Sequence, residues 1–159
     1  MIRRFLIDRR GTTAVEYALV IPMFVLMVFA IIDFGWYFFT QHTIQYATRE
    51  GVRLALVGRT IVREGHPLSR EASIMTTIRE NAAAAVRSGG LDISIYEIDA
   101  DYSDPDNWQG VQDAGGAGSY MRVRTIYHYR FLTPVIGAFF TNGSILIRAE
   151  ATYRNELFD

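Results

Sequence analysis

The dominant feature of the hydrophobic pattern is an uncharged run, Tyr17–Ile32, which Asp33 interrupts and Phe34–Phe39 resumes. A helix over Tyr17–Phe39 extends roughly 35 Å at about 1.5 Å per residue, enough for a hydrocarbon core of about 30 Å. Its length and unbroken apolar circumference disfavour a buried helix of a water-soluble protein. The run leads into Ile31–Trp36 without the small-x-small site that a cleaved secretory signal needs. A membrane span fits best. Arg3, Arg4, Arg9 and Arg10 precede it and the next Arg is Arg49, so the positive-inside rule puts the N-terminus in the cytoplasm and the bulk outside. Trp36 and Tyr37 suit the outer interface. Glu16 stands at the entrance to the span, where a charge is costly unless compensated, and is a functional-site candidate on that ground.

The helical pattern continues past the span. One helix is predicted from Thr12 to about Gly58, roughly 70 Å if straight, with Thr12 or Thr13 as N-cap. Pro22 frees the carbonyl of Ala18 and is expected to kink or loosen it. Beyond the membrane, Gln41, Gln45, Arg49 and Arg53 form a polar stripe, and Ile44, Ala47, Gly51, Leu54 and Ala55 form a second face. Ala47, Gly51 and Ala55, four apart, permit close backbone approach. That face packs either on the chain's own domain or on a neighbouring subunit, and both readings stand at this point.

Arg59–Leu68, with Gly65 and Pro67, reads as a connection. A second helix is predicted from Ser69 or Arg70 to about Ser88, with Ile74, Ile78, Ala82 and Ala85/Val86 as its apolar stripe and Gly89-Gly90 as its stop. Leu91, Ile93 and Ile95 alternate with Asp92, Ser94 and Tyr96 in a half-buried strand. Asp99–Gly118 reads as a solvated hairpin loop; its aspartates lack the EF-hand spacing and the terminal Glu. Ser119–Phe131 is a long strand with Met121, Val123, Thr125, Tyr127, Tyr129 and Phe131 on one face and Arg122, Arg124, His128 and Arg130 on the other. Pro134 stops it, Val135–Phe140 is a short apolar link, and Asn142-Gly143 is a turn. The last strand, Ser144–Tyr153, turns Ile145, Ile147, Ala149 and Ala151 to one side. The expected fold is α+β: a long N-terminal transmembrane helix continuing into a small domain, in which a second helix packs on a three-stranded antiparallel sheet. The division is a basic leader (1–11), a transmembrane helix (12–39) and an extracytoplasmic domain (40–159) that includes the outer half of the long helix.

Composition narrows the chemistry. The net charge is −1, so no large single-sign field advertises nucleic acid as a partner. Every basic residue is Arg, and there is no Cys, which removes the Walker A lysine, Schiff-base chemistry, thiol nucleophiles and disulfides. His42, His66 and His128 fall on a helix, a loop and a strand without metal-ligand spacing. Arg49, Glu50 and Arg53 read as ion-pairing groups on a solvated face. The expectation is a protein that is not an enzyme, with no metal, no cofactor and no small-molecule substrate.

Four segments then carry a family resemblance. Gly11 is followed by four residues, Glu16-Tyr17 and an apolar helix; the others are Ala47-Thr48-Arg49-Glu50-Gly51-Val52-Arg53, Tyr129–Pro134, and Ile147–Glu156. Together they resemble the TadE-like minor pilins or pseudopilins of the Flp/Tad (tight adherence) type IV pilus system. The resemblance implies a pilin-like fold, a leader removed after Gly11 by a prepilin peptidase, and a processing motif of Gly11, Thr12, Glu16 and Tyr17. It also implies a single-pass protein of the bacterial inner membrane, pilus-associated after assembly and serving adhesion and biofilm formation. Its partners would be the lipid bilayer, the peptidase, other Tad pilins or pseudopilins, and the inner-membrane platform. Glu16, with the Ala47, Gly51, Ala55 face, is the candidate assembly surface. The alternative is an unprocessed bitopic membrane protein whose outer domain binds an envelope component or ligand.

Overall fold

The computed structural model describes residues 9–86 and 90–157. One helix, α1 (Arg9–Leu56), dominates it. It starts upstream of Thr12 and Thr13, so neither is its N-cap, and its assignment runs unbroken through Pro22. Of the expected leader, Met1–Asp8 lies outside the described residues. The connection that follows contains a small hairpin, β1 (Val62–Arg63) with β2 (His66–Pro67). Its two turn residues, Glu64 and Gly65, both have positive φ, the geometry that lets a two-residue turn match the strand twist.

Helix α2 (Arg70–Ala82) opens on Ser69, whose side chain accepts from the Ala72 N–H. It is shorter than the apolar stripe implied. After Ala82 the backbone tightens into turns, with the N–H groups of both Ala85 and Val86 donating to the Ala82 carbonyl. Ser88 and Gly89 lie outside the described residues. Strands β3 (Leu91–Glu97), β4 (Tyr120–Arg130) and β5 (Ser144–Arg154) then form an antiparallel sheet in the order β3-β4-β5. The β4–β5 link holds one helical turn, α3 (Pro134–Gly137), and closes through Asn142 and Gly143, both at positive φ. The α+β fold inferred from the pattern is the one observed.

The register puts Ile93 opposite Thr125, Ile95 opposite Val123, and Thr125 opposite Ala149. These residues face α1 and α2, and the core lies there: Ala47, Val52 and Ala55 of α1 and Ile74, Ile78 and Ala82 of α2 pack against Ile93, Ile95, Met121, Val123 and Tyr153. A second cluster sits nearer the start of α1, where Ile44 meets Tyr129, Phe131, Ile136, Ile147 and Ala149. Between them, the buried Thr48 hydroxyl lies 3.0 Å from that of Thr125, joining helix to sheet.

The outer face of the sheet departs from the expected pattern. Arg124 is only 2% exposed, and Ser94 and Tyr96 are buried as well. The cause is the 99–118 segment, which is itself mostly exposed but folds back over the sheet. Asp104 pairs with Arg122 and Arg124 and accepts from the Tyr96 hydroxyl. Trp108 covers the Arg124 guanidinium, 4.2 Å from the ring centre. The segment also forms a parallel bridge to the free edge of β3, where the Ile95 N–H donates to Val111 and the Asp113 N–H donates to Ile95.

Candidate functional site

The start of α1 carries the residues of the predicted processing motif. Gly11 is exposed, and a Cβ there would meet nothing within 4 Å. A glycine inside a helix costs about 1 kcal/mol relative to alanine, and nothing in the packing of the described residues calls for glycine at that place. Thr12 lies in the helix, and Thr13–Tyr17 are exposed. Glu16 projects from the surface and, among the described residues, makes no hydrogen bond or ion pair. Beyond it, Leu19, Met23, Phe24, Met27 and Ile31 are all more than 60% exposed, so the helix offers apolar surface around its circumference.

The small residues assigned to partner binding behave differently. Ala47 and Ala55 are 0% and 2% exposed. A Cβ on Gly51 would stand 2.5 Å from Cγ1 and 2.8 Å from Cδ1 of Ile78. The Ala47, Gly51, Ala55 face is therefore the seat of the chain's own α2, and its assignment as an assembly surface is corrected. The close approach that small residues permit takes place within the domain. What the domain half of α1 leaves exposed is His42, Tyr46, Arg49 and Arg53.

Sequence reading missed the residue that joins the span to the domain. Asp33 is fully buried. Its carboxylate accepts from the Leu132 N–H at 2.6 Å, the Thr133 N–H at 3.1 Å and the Thr133 hydroxyl, and its carbonyl accepts from the Tyr129 hydroxyl at 3.3 Å. Burial, and then the neighbouring charge of Asp33, push the Tyr129 hydroxyl up to about 12. Phe34 adds edge contacts to Phe131 and Phe140. The signal was present: a lone carboxylate in an apolar run is expensive unless hydrogen-bonded, which applies to Asp33 as much as to Glu16.

These features define a class: among the described residues, one helix is long and apolar enough to cross a membrane and is clamped in its C-terminal half to a small α+β domain, as fits a single-pass membrane protein. Residues 11–53 match the family model described as TadE-like protein. This bears out the resemblance over the helix that holds both Gly11 and Gly51, and associates the chain with the Tad pilus system; the later segments of the resemblance lie outside the match. No curated protein and no solved structure matches the chain.

Proposed function

We propose that the chain is a membrane-anchored minor pilin or pseudopilin of Flp/Tad pilus assembly, serving adhesion and biofilm formation, and not an enzyme. It sits in the bacterial inner membrane with its N-terminus cytoplasmic and its domain outside. A prepilin peptidase removes the leader after Gly11, and its other partners are Tad pilins or pseudopilins and the inner-membrane platform. The observation that carries this reading is Glu16, a carboxylate without a partner among the described residues, at the head of a helix whose N-terminal half is apolar and exposed.

Cleavage after Gly11 makes Thr12 the N-terminus and Glu16 the fifth residue. The new α-amine, with an ordinary pKa of about 7.7–8.0, is mostly protonated near neutral pH. In a staggered assembly, Glu16 of one chain pairs with the amine of its neighbour. A charge buried there alone costs about 3–5 kcal/mol, which is enough to set register and recruitment. Asp104, held against burial below the usual carboxylate range by hydrogen bonds from Arg124, Tyr96 and Arg122, and its partner Arg124 are engaged in packing, which supports a structural role.

The test separates two defects. Gly11→Leu should block processing and leave a precursor larger by the leader. Glu16→Ala and Glu16→Gln should still insert and be cut, but fail to associate with partner pilins. Normal piliation by Glu16→Ala overturns the assembly role. An uncut native chain at steady state overturns processing and turns the reading toward a bitopic protein that binds an envelope component.

A further inference from the structure

The domain first touches α1 at Ala30, which packs on the second cluster, and covers it fully at Asp33, so the largely free apolar surface of the helix ends at Ile32. Tyr17–Ile32 spans roughly 24 Å at about 1.5 Å per residue, short of a hydrocarbon core of about 30 Å. At the level where the helix loses its free surface, the β4–β5 link continues the apolar band. From Phe131 to Ile147 the chain has no charged residue and no histidine. Within that stretch Leu132 is 52%, Val135 51% and Phe139 75% exposed. The link is held at a fixed depth on the helix: Asp33 binds the Leu132 and Thr133 N–H groups, and Phe34 lies against Phe131 and Phe140. On the helix itself, Trp36, Phe38 and Phe39 remain 44–53% exposed, so apolar surface extends past Ile32 on α1 as well as on the link.

We propose that the link, through Leu132, Val135 and Phe139, is seated in the lipid interface on the domain's side of the membrane, as a second anchor that fixes how the domain stands on the bilayer. Lipid is the occupant because the patch continues the surface of the span at the depth where the span alone falls short. Short spans draw flanking groups into the interface, and an apolar face buried several ångströms into the headgroup boundary is a recognised form of monotopic anchoring. The inference rests on α1 being a membrane span and not on processing or pilus assembly.

The natural absence of cysteine makes site-specific labelling direct. The full chain, reconstituted in phosphatidylcholine–phosphatidylglycerol vesicles, would carry an environment-sensitive fluorophore at Val135→Cys, Phe139→Cys, Met27→Cys or Val62→Cys. Val62 is exposed on the hairpin beyond the far end of α1, and Met27 lies within the span. Labels at Val135 and Phe139 should lose most of their emission to lipids with quenchers near the headgroup and little to aqueous iodide. The Val62 label should do the reverse, and the Met27 label should respond to quenchers deep in the acyl chains. Labels at Val135 and Phe139 that follow Val62 overturn the proposal. So does protection from both lipid and iodide quenchers, which means that a protein partner or a second copy covers the patch. A Met27 label untouched by lipid quenchers overturns the membrane reading itself and is a distinguishable result.

Discussion

The two faces of the three-stranded sheet are built from strands with the same alternation, yet they are covered by different means. The inner face meets α1 and α2 through aliphatic side chains, with Gly51 bringing the two helices close. The outer face is polar and is covered by a loop, with Arg124 inserted between Asp104, Glu150 and the Trp108 ring. Alternation assigns side chains to faces, because successive residues of a strand point to opposite sides. It does not say what lies on each face. A buried arginine and a solvated one occupy the same place in the pattern.

The inner face is also where the domain holds the span, so the largest expected effect lies at its membrane end. Asp33→Ala strips two backbone N–H groups and the Thr133 hydroxyl of their acceptor; a fully buried donor left unsatisfied costs about 1–3 kcal/mol, and these partly buried ones less each. Thermal unfolding in detergent micelles, followed by circular dichroism, should show a large drop in midpoint. Asp33→Asn keeps one acceptor oxygen and should fall between. A native-like melt for Asp33→Ala would mean that the junction is held by the aromatic contacts of Phe34 and Tyr37 alone.

The outer face calls for a smaller loss. Arg124→Met keeps the aliphatic bulk beneath Trp108 but removes the charged hydrogen bonds to Asp104 and Glu150. Each carboxylate retains a second arginine, Arg122 and Arg148 respectively, so the cost should be about 1.5–3 kcal/mol, that of charged hydrogen bonds lost, and less than for Asp33→Ala. Urea titration of the two variants side by side gives the ranking, and a reversed order would make the loop-covered face the stronger half of the domain.

The difference between the faces also explains what was legible. The inner residues Met121, Val123, Thr125, Ile147 and Ala149 could be read because an apolar face must be covered, and the helices that cover it carry their own apolar stripes. The small-residue face of α1 was legible as a close contact but not as to its partner, since Ala47, Gly51 and Ala55 suit α2 and a neighbouring chain equally well until Ile78 is seen against Gly51. The outer face was hidden because the covering segment has no periodicity. Its hold depends on contacts distant in sequence, Asp104 to Arg122 and Arg124, and Asn155 to the Ala114 and Gly116 carbonyls. Asp33 was hidden for the same reason: the backbone groups it binds lie about a hundred residues away.

The smallest expected effect separates the two faces by pH. Burial opposes the charge on Asp104, but hydrogen bonds from Arg124, Tyr96 and Arg122 outweigh it and hold the carboxyl below the usual range. Glu150 follows the same pattern, with burial opposed by Arg124 and Arg148. For both groups the folded pKa lies below the unfolded one. Their contribution is therefore complete above the ordinary carboxylate range of about 4 and is lost as pH falls through the folded values, where protonation ends the pairing. Glu150 is about half exposed and Asp104 about a quarter, so water screens the effect and the loss should loosen the loop without unfolding the sheet. In a Trp36→Phe background, Trp108 emission reports the loop alone. It should shift below about pH 4 while the far-ultraviolet signal of helix and sheet persists, and Asp104→Asn should blunt the transition. A single acid transition shared by both signals would mean that the loop and the inner core unfold as one unit, and the contrast between the two faces would then be one of composition and not of stability.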